Sequence, residues 1–213
     1  MIDRIFWEYL EEMPEQEAAW HEWQQRLIGW HRFNTFYTHY LSVDGSRARL
    51  LKCTTPCEHV CLRQVIEYSP SNITAICPRG EAAPIQLKFR DILIYSLRRE
   101  IFHQALCTSL QIEYPSGNRW PEFGSTWYLG DYFKTALYFS YQGLTLTDAI
   151  ISLCWLHKKP FVIIAPTGNG LTSEAKRLLT QNNSVLLLLE SELSMQADGS
   201  FKPRRSIAEC LKI

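Results

Sequence analysis

Cys53, Cys57, Cys61 and Cys77 follow the spacing C-x3-C-x3-C-x15-C within one short stretch of the chain. Thiols clustered this way serve as soft thiolate ligands for a tetrahedral metal, as disulfide partners, or in thiol redox chemistry. The chain carries seven cysteines, so any full disulfide scheme leaves one thiol over. The N-terminal residues Met1-Ile2-Asp3-Arg4-Ile5-Phe6-Trp7-Glu8 lack the uninterrupted apolar stretch of a signal peptide. A cytoplasmic, reducing location is therefore expected, and there clustered cysteines favour metal over disulfide.

Cys61 lies just before a predicted hairpin, 63–68 with 73–76 around a turn at 69–72, and Cys77 lies just after it. Folding that hairpin brings both thiols to its open end. Cys57 is one short loop away and Cys53 ends the preceding predicted strand. The segment Cys77-Pro78-Arg79-Gly80 resembles the second knuckle of a zinc ribbon, where Cys-Pro-x-Cys-Gly is common. Gly80 stands where the second cysteine of that motif would be, so Cys53 or His59 must supply a fourth ligand. The expected metal set is Cys53, Cys57, Cys61 and Cys77, holding a structural zinc. Four thiolates leave no open coordination position for a reactive water.

A second pattern lies at 166–192. Thr167, Gly168, Asn169 and Gly170 follow a continuous apolar run and precede a helical one, and Glu190 ends the next apolar run. This is the outline of a dinucleotide loop, in which the backbone approaches a pyrophosphate at a helix N-terminus and a carboxylate holds the ribose. Ser173 replaces the third glycine, Pro166-Thr167 alters the entry, and no lysine is placed as in a phosphate-binding P-loop. The expectation here is a small anionic, phosphorylated or nucleotide ligand. His103 with Cys107, and Glu17 with His21, share i, i+4 spacing and read as polar helix faces. No HExxH or GxSxG motif and no nucleophile–base pair is present, so no catalytic residue is assigned.

These residues need elements to position them. Ile2, Ile5, Phe6, Tyr9 and Leu10 have helical rhythm, and Pro14 starts a second helix whose stripe of Trp20, Trp23, Leu27 and Trp30 reads as core. Aromatic and β-branched residues over 35–43 predict a strand, Asp44-Gly45 a hairpin turn, and 47–52 the return strand. Further strands are expected at 85–89 and 92–95, then a helix over 101–110. Turn residues at 115–124 suggest a boundary between domains at 1–114 and 125–213. Beyond it, strands at 126–129, 135–141, 161–165 and 185–189 alternate with helices at 145–157 and 172–181. That alternation implies a partly parallel sheet. A polar loop over 194–202 and a short final helix complete the chain. The expected class is α+β: N-terminal helices with a cysteine-rich antiparallel β region, followed by a small βαβαβ unit.

Lysine plus arginine equals aspartate plus glutamate at 22 each, which argues against binding by a globally basic surface. The longest apolar runs are strand-length, far short of the ~20 residues that cross a bilayer. The leading functional expectation is a binding or scaffold protein with a zinc-knuckle-like site engaging protein or nucleic acid. The alternative is an enzyme holding a phosphorylated ligand along the Gly168 to Glu192 edge.

Overall fold

The two continuous apolar runs near the C-terminus fold into the parallel sheet the sequence predicts. In the computed structural model, which describes residues 2–13, 16–27, 29–53, 61–115, 124–141 and 146–211, Phe161–Ala165 pairs in parallel with Val185–Leu188 and with Thr135–Ser140. Thr126–Tyr132 closes one edge antiparallel. The helices Leu146–Leu156 and Ser173–Gln181 connect the parallel strands. All of Phe161–Ala165 is buried, as expected of a strand covered on both faces. Tyr138, Phe161, Ile163 and Ala165 pack on Leu146, Ala149, Ile150, Leu153, Ala175 and Leu179 of the two helices. Phe139, pointing the other way, meets Phe102 of the helix Arg99–Ser109 at 6.1 Å. Phe102 in turn meets Trp7 of the N-terminal helix Ile2–Glu12 at 6.4 Å.

The chain divides into two units. The sheet just described belongs to one, built from 1–12, 30–39 and 99–213; the other comprises 13–29 and 40–98. Of the predicted boundary at 115–124, residues 116–123 lie outside the described residues. The predicted strand over 35–43 is instead the helix Phe33–Tyr40, followed by a strand beginning at Leu41. Phe36 and Tyr40, one helical turn apart, are both buried, and Phe36 lies 4.6 Å from Phe6. Tertiary packing of that aromatic face overrides the β propensity of the segment. The tail read as a polar loop is a small hairpin, Leu193–Met195 with Phe201–Pro203, before the final helix Ile207–Leu211.

The second unit holds two antiparallel sheets. In the first, Leu93–Leu97 lies between Glu17–Ala19 and Leu41–Arg47. The helix Trp20–Arg26 covers it, with Trp23 Nε1 donating to the Tyr95 carbonyl at 3.2 Å. Trp20, Trp23 and Leu27 are buried, as the stripe predicts, and so is Trp30 in the other unit. The second predicted helix is shorter than expected because Glu17–Ala19 joins the sheet; Pro14 lies outside the described residues. Asp44-Gly45 does not turn the chain back. The strand continues through it with a bulge, and the Asp44 carboxylate accepts the Ser46 N–H at 2.8 Å and its hydroxyl at 2.6 Å. Leu50–Lys52 therefore pairs elsewhere, at the edge of the second sheet, in the order Leu50–Lys52, Leu62–Ser69, Asn72–Ile76, Ile85–Leu87. Among the described residues no helix is long and apolar enough to cross a membrane.

Candidate functional site

The hairpin expected around the cysteines is present. Leu62–Ser69 pairs with Asn72–Ile76, Gln64 facing Ile76, so Cys61 and Cys77 flank its open end. Their Sγ atoms are 3.9 Å apart. A disulfide requires about 2.05 Å, so these are free thiols. Two ligands of a tetrahedral zinc with bonds of about 2.3 Å stand roughly 3.8 Å apart, close to the distance found. Cys53, half-buried, packs against Cys61, Cys77 and Ala82, and its N–H donates to the Cys61 carbonyl at 3.0 Å.

The turn after Cys77 acts on its sulfur. A backbone N–H bond from Arg79, joined by those of Ala82 and Glu81 and by the Cys61 thiol, holds the Cys77 thiol below its ordinary pKa, against the opposing effect of burial. Gly80 makes this possible: its φ of +71° is left-handed, and its N–H donates to the Cys77 carbonyl at 3.1 Å. Glycine adopts that conformation at little steric cost. The second-knuckle glycine thus has a geometric job even with no cysteine before it. Cys57 and His59 lie outside the described residues. Among the described residues no three metal-ligating side chains converge, so the described part of the candidate centre is the Cys61–Cys77 pair with Cys53 beside it.

The loop at 166–170 lies where the sequence places it, after the central parallel strand and before a helix capped by Thr172, whose Oγ1 accepts the Ala175 N–H at 3.2 Å. The polar groups of Thr167 and Asn169 are already engaged. The Thr167 N–H donates to Glu11 Oε1 at 2.7 Å, the Thr167 hydroxyl to Glu11 Oε2 at 2.7 Å, and Asn169 Nδ2 to the same oxygen at 3.4 Å. The Asn169 N–H is held by Thr167 Oγ1 at 3.1 Å, and the Thr172 N–H by Thr147 Oγ1 at 3.2 Å. The Glu190 N–H donates to the Pro166 carbonyl at 3.0 Å, and its carboxylate lies 3.5 Å from Arg4 Nε. Burial raises the Glu11 pKa; the Thr167 and Asn169 bonds oppose that, and the charge of Glu190 adds to it. One backbone N–H, one hydroxyl and one side-chain amide of the loop thus converge on the carboxyl group of Glu11.

Glu11 had no signature in the sequence, because its partners lie 156 and 158 positions away. His103 and Cys107, read as a polar face, are in fact buried. His103 Nε2 is hydrogen-bonded to the Tyr141 hydroxyl at 2.7 Å, and Cys107 Sγ donates to the Leu129 carbonyl at 3.6 Å. Burial pushes Tyr141 well above its ordinary pKa, so this hydroxyl stays protonated and is no base. Glu192 is also buried and forms an ion pair with Arg205. Comparison with protein families, with curated proteins and with solved structures finds no match for this chain.

Proposed function

We propose that the chain is a binding protein whose 40–98 region is braced by one structural zinc, with Cys61 and Cys77 as the paired ligands and with Cys57 and, after a shift of its side chain, Cys53 as the remaining candidates. The observation that carries this reading is the Cys61–Cys77 pair at 3.9 Å with backbone N–H groups directed at the Cys77 sulfur. Such donors stabilise a thiolate, the form that binds metal. A site of this kind ties Leu50–Lys52, the hairpin and the following turn together in a sheet with a small apolar core (Leu51, Ile73, Ala75, Leu87). The phosphorylated-ligand alternative has less behind it, since a phosphate at 167–170 would have to displace the Glu11 carboxylate or lie against it.

The test is zinc content of the purified full chain by mass spectrometry, paired with thiol titration before and after chelation. About one zinc per chain is expected, lost in Cys77→Ser, with thiols that become reactive only after the metal is removed. Less than half an equivalent of zinc in the wild type, or full occupancy in Cys77→Ser, refutes the reading.

A further inference from the structure

The unit formed by 1–12, 30–39 and 99–213 exposes aromatic and basic residues together at one end of its sheet. The hairpin joining Thr126–Tyr132 to Thr135–Ser140 has a two-residue loop, since Tyr132 pairs with Thr135. Both loop residues, Phe133 and Lys134, have positive φ, +46° and +68°. That is the type I′ geometry in which Asn-Gly is the comfortable choice. A bulky aromatic there is held in a sparsely populated conformation, and such strain gathers at functional positions. Phe133 is 79% exposed and touches the ring of Tyr132 edge-on at 4.7 Å.

Basic residues surround this tip. Phe161 pairs with Ala136, so the Lys158-Lys159 segment enters the sheet beside the Phe133-Lys134 turn. Trp155, 84% exposed, ends the preceding helix. On the other side Tyr132 lines a cavity of about 220 Å³ with Ser109, Gln111, Arg204, Arg205 and Ser206. Among the described residues Lys134, Lys158, Lys159 and Arg204 form no ion pair with a carboxylate. Of the acidic groups nearby, Glu192 pairs with Arg205 and Glu209 accepts the Ser206 N–H and hydroxyl at 2.7 and 3.0 Å, while Glu113, whose backbone backs onto Gly130, is exposed. Asp131, exposed, is the one described carboxylate of this hairpin.

We propose that the hairpin tip 132–134, with Trp155, Lys158, Lys159 and Arg204, is a binding edge for single-stranded nucleic acid. Exposed rings offer faces for unpaired bases, and unpaired cations flanking them suit the phosphates. The cavity beside the tip mixes Arg204, Arg205 and Ser206 with Leu110 and Ile207, a lining that suits a base and its phosphate together. This edge names a partner for the binding role proposed above but shares no residue with the cysteine centre. Protein that holds zinc yet has no affinity for nucleic acid sinks this inference and leaves the metal reading standing.

The experiment is fluorescence anisotropy of a labelled oligo-dT and oligo-rU of about 20 nucleotides, longer than one stacking site, with the full chain at several salt concentrations. Binding is expected to weaken with salt with a log–log slope of roughly −2 to −3, the value for three or four phosphate contacts on a single strand. Lys134→Glu, Lys158→Glu and Lys159→Glu combined should abolish it. Phe133→Asn gives the sharper reading: affinity should fall roughly five- to a hundredfold as one stacking surface goes, while the melting temperature rises because Asn tolerates positive φ. A structural role for Phe133 would move both downward. No anisotropy change at tens of micromolar protein in about 50 mM salt, binding unaffected by these variants, or retention on phosphatidylserine vesicles with none on oligonucleotide overturns the proposal.

Discussion

Replacing Glu11 tests whether the donors of the loop at 167–169 are satisfied by the protein itself. In Glu11→Ala the Thr167 N–H and hydroxyl, both within 2.7 Å of the carboxylate, lose their acceptor, and Thr167 is only 1% exposed. A buried donor left without a partner costs about 1–3 kcal/mol. Two such donors, less the relief of no longer burying a charge, give a net loss of about 2–4 kcal/mol. For a chain of this size that is a fall in melting temperature of roughly 5–15 °C. Glu11→Gln keeps an acceptor for the N–H, and the Thr167 hydroxyl can turn to accept from the new amide, so its loss should be about 1 kcal/mol. The pH dependence separates the two further. The folded Glu11 pKa is raised by burial, so the fold prefers the protonated acid. The stability Glu11 contributes is then fully present below the ordinary glutamate range and is lost as pH rises through the raised value. The stability gap between wild type and Glu11→Gln should therefore shrink between about pH 4 and pH 7. Thermal denaturation, with urea denaturation for the free energies, of the three proteins at both pH values is the assay. A melting temperature within 2 °C of wild type for Glu11→Ala, or a gap that widens with pH, refutes the reasoning.

Two smaller substitutions probe the two ends of the same sheet. Gly130 has φ +128°, and a Cβ there would stand 2.7 Å from the Glu113 carbonyl oxygen; Gly130→Ala should lower stability by about 2 kcal/mol or more, measured by thermal denaturation. Thr172→Ala removes the cap on the Ala175 N–H and should cost about 1 kcal/mol by the same measurement, with circular dichroism showing the sheet intact.

The parts legible in the sequence are those where a local pattern has one physical solution. Phe161–Ala165 and Val185–Leu188 are apolar throughout and separated by a capped helical segment, and a covered parallel strand satisfies that pattern. The hairpin flanked by Cys61 and Cys77 is likewise local, its partners meeting across a tight turn. Local preference misleads where distant packing decides. Residues 35–40 carry strand-forming side chains, yet Phe36 and Tyr40 bury together on a helix. Asp44-Gly45 has hairpin chemistry, yet Asp44 turns it inward to cap Ser46 and the strand runs on. At the candidate site the loop at 167–170 was visible from its glycines, but its occupant was not, because nothing near residue 11 points to residue 167.

The same long reach shapes how the molecule is made. The polypeptide passes from one unit to the other four times. Phe6, Trp7 and Leu10 are each at most 1% exposed when folded. The Thr167 groups that hold their helix through Glu11 come 156 residues later. At ~5–20 residues per second that interval is about 8–30 s; Trp30 and Phe36 reach Phe6 early in it, while Trp7 waits for Phe102 and Phe201. The helix Ile2–Glu12 therefore completes its packing only after most of the chain has been made. A chain severed between Arg98 and Arg99 would leave this helix and the parallel sheet on different molecules.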